Sequence, residues 1–113
     1  MSLASFKQKL KESPKNIEFS ETIEVIENNY NFTPTAFVNG AVNNDSGQNS
    51  GSCKLFAFAQ LEGLSKSETL ACFGQYYSDV LNTPDGADHQ NIRNFMNTGF
   101  EGLRFEGFAL KKK

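Results

Sequence analysis

Apolar residues recur at helical spacing through the first thirty residues of the chain. Leu3, Phe6 and Leu10 share one helical face, and Pro14 follows them as a stop signal. A second stripe with intervals of four, three and four residues predicts a longer amphipathic helix that Ser20 is placed to cap. The members of this second stripe are Phe19, Ile23, Ile26 and Tyr30.

The middle of the chain predicts a hairpin, a polar loop and a buried helix. Asn39-Gly40 supplies the two positive-φ positions of a type I′ turn, so residues 35–42 are expected to form a short hairpin. A loop rich in Gly, Asn and Ser follows over residues 43–51. The apolar run 53–62 then predicts a central helix, capped by Ser50 or Ser52 and ended by a glycine. Part of this run also suits a buried strand, but its alanines and flanking caps favour helix.

Two further helices are predicted in the last third of the chain. Ser65 and Glu68 form a capping box that opens a helix reaching about Asn82. In that helix Gly74 would allow a neighbouring segment to approach closely. After a turn at residues 83–86, Asp88 is placed to cap a last helix. The core face of the last helix is Ile92, Phe95 and Met96.

The hydrophobic pattern as a whole predicts one α+β domain over residues 1–113. Residues 103–106 alternate between apolar and polar, as a half-buried strand does, and could pair with the hairpin. We therefore expect about five helices with a small, mostly antiparallel sheet. The basic run 111–113 is expected to be a disordered, solvated tail.

Composition narrows the classes of function. Eleven phenylalanines without any tryptophan indicate a Phe-built core, and a formal charge of −2 makes nucleic acid an unexpected partner. Two cysteines and one histidine are too few for a Cys/His zinc site, so no metal is expected. No apolar segment has the length of a signal peptide core or a membrane span. We expect a soluble cytoplasmic protein that has no membrane partner.

The first candidate chemistry is a thiol nucleophile at the start of the central helix. A thiolate at a helix N-terminus beside Lys54 would be stabilised by the partial positive charge there. In this hypothesis Cys53 is the nucleophile, His89 the general base, and Asn91 or Asp88 orients the imidazole. The result would be a small thiol-dependent hydrolase or transferase. Alternatively, Cys53 is a buried packing residue and His89 a structural one.

The second candidate is an anion-binding site at the same helix start. Backbone amides, hydroxyls and cations there could hold a small phosphorylated or carboxylate ligand. The loop does not have the spacing of a nucleotide-binding Walker A motif, and no cofactor is expected. The expected ligand-binding residues are Asn39, Gly47, Asn49, Gly51, Ser52, Lys54 and Arg93.

The third interpretation makes loop 43–51 a surface for a protein partner, and the fourth a solvated connection without function. These interpretations make different structural demands. An enzyme needs Cys53 accessible and within hydrogen-bond reach of His89. A binding module needs neither, but it needs a concave patch beside the loop.

Four blocks in order resemble the HopJ type III effector family. They read FTPTAFVNG from Phe32, SGQNSGSCKLFAFAQL from Ser46, TLACFGQYY from Thr69 and DHQNIRNFM from Asp88. The likeness extends from about Phe6 to Leu110. It implies a HopJ-like, effector-like protein of a family named after a protein that a plant pathogen injects into host cells. Similar proteins also occur in bacteria, plants and algae without such a system, and the resemblance carries over no catalytic residue.

Overall fold

The structure, a computed structural model, describes residues 2–113 and contains six α-helices, five short strands and two 3₁₀ turns. The helices are α1 (Leu3–Glu12), α2 (Phe19–Asn29), α3 (Ser50–Glu62), α4 (Lys66–Ala71), α5 (Gln75–Asn82) and α6 (Gln90–Thr98). The strands are β1 (Tyr30–Phe32), β2 (Phe37–Asn39), β3 (Val42–Asn44), β4 (Leu103–Phe105) and β5 (Leu110–Lys112). The 3₁₀ turns are Pro14–Asn16 and Gly99–Gly102. This arrangement confirms the predicted α+β class.

The strands form two small antiparallel sheets. One has the order β3-β2-β4, so that Phe37 lies opposite both Asn44 and Phe105. The other is the pair β1–β5, in which Tyr30 lies opposite Lys112. The predicted hairpin and its pairing with the strand at residues 103–106 are therefore confirmed, while the second sheet was not predicted.

Helix α3 lies at the centre of the core, as its nearly uninterrupted apolar sequence predicts. Leu55, Phe56, Phe58 and Ala59 are fully buried. The ring of Phe56 lies 4.8–6.3 Å, between centroids, from the rings of Phe37, Phe73 and Phe95. Aromatic pairs at such distances add to the stabilisation from burial alone. The helical interpretation of residues 53–62 is thus confirmed over the strand alternative.

The hairpin turn lies one residue later than predicted. Gly40-Ala41 forms the two-residue turn, flanked by the pair Asn39 and Val42. Only Gly40 has a positive φ, +60°, which is the pattern of a type II′ turn rather than type I′. A one-residue slip moves side chains to the other face of a strand. Asn39 is consequently a fully buried strand residue instead of a turn residue.

The helix predicted from residue 65 to about residue 82 is broken at Gly74. The capping box of Ser65 and Glu68 opens α4 as predicted, but Gly74 has φ +59° and ψ −126° and separates α4 from α5. A Cβ atom at Gly74 would lie 2.7 Å from Phe19 N and 2.8 Å from Ile17 O. The segment that precedes α2 therefore packs closely against Gly74, as the sequence suggested. The close contact occurs where the helix is interrupted, not within a continuous helix.

Two details of helix placement also differ from expectation. Helix α2 is opened by a capping box of Glu18 and Glu21, and Ser20 lies inside the helix. Helical periodicity in a continuous helix over residues 65–82 would place Cys72 on the polar side. Cys72 is instead fully buried at the end of α4, and burial raises the pKa of its thiol to about 12.

The C-terminal residues differ from the expected tail. Lys111 and Lys112 belong to β5, and the amide of Lys113 donates to Asn29 O at 3.1 Å. Tyr30, expected at the end of a helix, begins the partner strand β1. Pairing with β1 satisfies the backbone hydrogen-bonding groups of β5. A run of three lysines does not by itself reveal that this strand forms.

Candidate functional site

A pocket of about 390 Å³ opens where the first turns of α3 and α6 meet an aromatic wall. Its lining residues are Phe19, Val42, Asn49, Gly51, Ser52, Phe73, Tyr76, His89, Gln90, Asn91 and Ile92. We call it the helix-start pocket. Five of the residues predicted from sequence lie in this lining, namely Asn49, Gly51, Ser52, His89 and Asn91.

The start of α3 contributes backbone donors to one side of the pocket. The helix begins at Ser50, three residues before the expected Cys53, and its N-cap Asn49 has left-handed geometry with φ 50°. Asn49 makes no side-chain cap, and the amides of a helix's first turn have no intrahelical acceptor. Glycine at position 51 leaves room for the Phe19 ring, because a Cβ atom there would lie 2.9 Å from Phe19 Cζ.

The start of α6 forms the second side in the same way. Its N-cap is His89, with φ 52°, and not the expected Asp88. His89 also makes no side-chain cap. Within residues 2–113, Asn49 and His89 are the two non-glycine residues with positive φ. Such backbone geometry costs free energy and is concentrated at functional sites.

Aromatic side chains from α2 and the α4–α5 region form the remaining wall. The ring of Phe19 stacks on Phe73 at 6.2 Å and meets Tyr76 edge-on at 5.2 Å. The ring centroids of Tyr76 and His89 are 5.5 Å apart. The sequence pattern does not reveal this aromatic wall, because nothing local distinguishes a pocket wall from a core face.

A chain of buried asparagines connects the hairpin to both helix starts. Asn44 Oδ1 accepts hydrogen bonds from Asn49 Nδ2 at 2.7 Å and from Asn91 Nδ2 at 2.9 Å. Asn39 Nδ2 donates to Asn91 O at 2.7 Å. Asn39, Asn44 and Asn91 are buried, and Asn39 Oδ1 has no hydrogen-bond partner within residues 2–113. The network fixes the side chains of Asn49 and Asn91 relative to each other.

Cys53 lies in the second turn of α3, behind the pocket lining. Its amide already donates to Asn49 O, so this residue is not one of the free donors of the helix start. The side chain is 2% exposed, and its thiol lies 3.5 Å from Thr35 O. Burial raises the pKa of the Cys53 thiol, and the positive charge of Lys54 opposes this rise only in part. The net shift of the thiol pKa is upward, opposite to the lowered pKa that the nucleophile hypothesis requires.

The remaining predicted site residues have contacts elsewhere. Lys54 pairs with Glu27 at 3.0 Å, and its ammonium lies 4.9 Å from the ring centroid of Phe32. Gly47 is an exposed turn residue with φ +89°. Asn39 contributes to the site through Asn91 rather than through the pocket surface.

Arg93 was expected to bind the ligand. Its guanidinium instead donates to Asp88 Oδ1 at 2.7 Å and to Thr83 O at 2.7 Å. These bonds hold the segment that precedes α6. The hydrogen bond from Arg93 is the main reason that the pKa of the Asp88 carboxyl is lowered. Arg93 thus positions the start of α6, and with it His89.

Neither a metal centre nor a spanning helix is present in the part of the chain that the structure describes. Residues 2–113 contain no group of three or more His, Cys, Asp or Glu side chains arranged to hold a metal ion. Over the same residues, no helix combines the length and the apolar character that crossing a membrane requires.

Comparisons with known proteins give one family and one structural relative. The chain matches the crystal structure of the unknown function protein VPA0580 with a TM-score of 0.98 and 56% identity, covering 100% of this chain and 95% of that one. No curated protein matches the chain. The family model described as HopJ type III effector protein matches residues 3–110. The chain therefore belongs to the HopJ type III effector protein family.

Proposed function

We propose that this protein is a binding module whose helix-start pocket takes a small ligand with an anionic group and a planar or apolar body. The observation that carries the proposal is the convergence of two helix N-termini, neither with a side-chain cap, on one cavity. Amides of a first helical turn attract anions through their free N–H groups and the helix dipole.

The rest of the lining supports a ligand that is more than a bare anion. Phe19, Phe73 and Tyr76 offer aromatic surface, and His89 and Asn91 offer polar contacts beside it. A volume of about 390 Å³ is within the range of sites for small molecules. A benzoate-like or phosphorylated aromatic compound has the matching chemistry, with its charge at the helix starts and its ring against the aromatic wall.

The same geometry supports binding over the alternative thiol-dependent reaction. A nucleophile must reach the substrate as a thiolate. Cys53 is buried, has a raised pKa and is not part of the pocket lining, whereas His89 does line the pocket.

Both cysteines are free thiols, which supports the proposal that the protein works in a reducing cytoplasm.

The test is an amide-detected NMR titration with four probes: inorganic phosphate, acetate, phenyl phosphate and benzoate. We expect the two aromatic anions to bind more tightly than the bare ones, with the largest shifts at Gly51, Ser52, Gln90 and Asn91. His89→Asn removes the imidazole while keeping a residue that tolerates positive φ. Tyr76→Ala removes part of the wall. Each variant should weaken phenyl phosphate binding by about tenfold, the equivalent of one good contact.

Leu81→Ala is the matched control, because Leu81 is an exposed apolar residue of α5 outside the pocket. It should leave the affinity unchanged. The proposal fails if none of the four probes shifts the amides of the two helix starts. It also fails if shifts occur but His89→Asn and Tyr76→Ala bind phenyl phosphate as the unaltered protein does.

A further inference from the structure

A second concave surface lies between the end of α3 and the β1–β5 sheet. It has a volume of about 690 Å³ and is separate from the helix-start pocket. We call it the Phe108 groove. Its lining residues are Tyr30, Thr33, Leu61, Glu62, Phe108, Leu110, Lys111 and Lys112.

Large apolar side chains are unusually exposed at this groove. Phe108 is 93% exposed and Leu61 is 57% exposed, the two highest values among the exposed large hydrophobic residues described. An isolated exposed leucine needs no explanation, but two such residues on one concave surface are typical of an interaction site. Neither residue contributes substantially to the core, so the fold does not account for them.

The charge at the groove is positive. Its one carboxylate, Glu62, is engaged by Lys7 Nζ at 2.6 Å and by the Tyr30 hydroxyl. Burial is the main cause that raises the pKa of Tyr30 to about 12. The hydrogen bond to Glu62 and the negative charge of Glu62 raise it further. Lys111 and Lys112 are exposed, and neither takes part in an ion pair within residues 2–113. The groove therefore combines an apolar floor with two lysines that form no ion pair within the described residues, and the charge of Lys112 also acts on Glu62.

We propose that the Phe108 groove is a docking site for a linear, acidic peptide segment of a partner protein. An aromatic or aliphatic side chain of the segment packs against Phe108 and Leu61, and flanking Asp or Glu residues pair with Lys111 and Lys112. The concave shape suits an inserted side chain, whereas a bilayer meets a flat or convex face. A second copy of this chain would oppose lysines to lysines across a two-fold axis.

The test is a selection of displayed random linear peptides on the intact protein, with counter-selection on Leu61→Ser/Phe108→Ser. Because both residues are exposed, the double variant should fold, and its circular dichroism and unfolding midpoint verify this. We expect the selected peptides to share an aromatic or aliphatic residue flanked by Asp or Glu.

The best selected peptide, labelled for fluorescence anisotropy, then measures the contribution of each part. Phe108→Ser and Lys111→Glu/Lys112→Glu should each weaken its binding by at least about tenfold, as central contacts of an interface do. Leu81→Ser, an exposed apolar residue elsewhere, should have no effect. His89→Asn should also have no effect, so the result is independent of the helix-start pocket.

Three results would overturn the proposal. One is a selection whose peptides bind the double variant equally well or lack acidic residues. Another is co-sedimentation with phosphatidylserine vesicles that Phe108→Ser abolishes, which would assign the surface to a membrane. The third is a dimer in size-exclusion chromatography that Phe108→Ser converts to monomer, which would assign it to a second copy.

Discussion

For Cys53, burial decides the direction of the pKa shift. A free cysteine ordinarily has a pKa near 8.5, and the electrostatics of a helix start lower it. Here the thiol is one turn inside α3, and removal from water is the largest effect on its pKa, in the raising direction. Cys72 shows the same effect more strongly, with a pKa of about 12. Both thiols stay protonated in the folded protein at neutral and mildly alkaline pH.

We therefore predict that neither Cys53 nor Cys72 reacts with iodoacetamide while the protein is folded. Both should become alkylated once guanidinium unfolds the chain, because exposure restores an ordinary thiol. Intact-mass spectrometry measures the extent of alkylation, and His89→Asn should leave the folded-state result unchanged.

The raised thiol pKa values also make stability depend on pH. Because the folded pKa values are raised, the contribution of the thiols to the free energy of unfolding is full below the unfolded pKa and declines as pH rises above it.

Rapid modification of folded protein, mapped to Cys53 and slowed in His89→Asn, would contradict this prediction. It would establish a coupled thiol and imidazole and restore the hydrolase or transferase hypothesis. Modification confined to Cys72 would instead indicate local opening of the break between α4 and α5.

At the level of secondary structure elements, two glycines with similar φ occupy helix boundaries for different reasons. Gly63 follows α3 with φ +67°, and no atom lies within 4 Å of a Cβ placed there. Gly74, with φ +59°, would place a Cβ against the backbone of Ile17 and Phe19. At Gly63 only conformational freedom matters, whereas at Gly74 the position of α2 also depends on the missing side chain.

We predict that Gly74→Ala lowers the free energy of unfolding by more than about 3 kcal/mol, because backbone strain and a backbone clash add. Gly63→Ala should cost only about 1 kcal/mol, the penalty of the left-handed conformation alone. Urea unfolding of both variants gives the comparison. Equal losses would show that the segment around Phe19 moves away from position 74 without cost.

Across the whole molecule, the parts predicted from sequence are those encoded by local periodicity. The existence of helix α2, the capping box of α4 and the apolar run of α3 each require only neighbouring residues, although the buried residues of α2 are Thr22, Val25 and Ile26 rather than the whole predicted stripe. The resemblance of four sequence blocks also gave the family that the family model confirms. The α+β class followed from these elements together.

The unpredicted parts depend on contacts between distant segments. The pairing of Tyr30 with Lys112 spans most of the chain, and the break at Gly74 responds to the backbone of α2. Sequence reasoning proposed Asn49, Ser52 and His89 for the site, but it could not show which aromatic residues would join them. It also expected free cations there, whereas Lys54 and Arg93 form other contacts.

The buried asparagines make the hairpin a structural link between the two sides of the helix-start pocket. Asn44 holds Asn49 at the start of α3 and Asn91 at the start of α6. We predict that Asn44→Ala lowers the free energy of unfolding by roughly 2–3 kcal/mol, because buried polar groups lose their partners. The effect should be concentrated at the pocket rather than spread over the fold.

Hydrogen exchange tests that localisation through the first hydrogen bond of each helix that joins an amide to the carbonyl four residues earlier. The amides of Cys53 and Arg93 donate to Asn49 O and His89 O, and both should exchange faster in Asn44→Ala. Asn43→Ala is the matched control, because Asn43 is exposed on the other face of β3 and should change stability by less than about 0.5 kcal/mol. If the two variants exchange alike, the asparagine network does not hold the helix starts together. The pocket would then owe its shape to the packing of its aromatic wall alone.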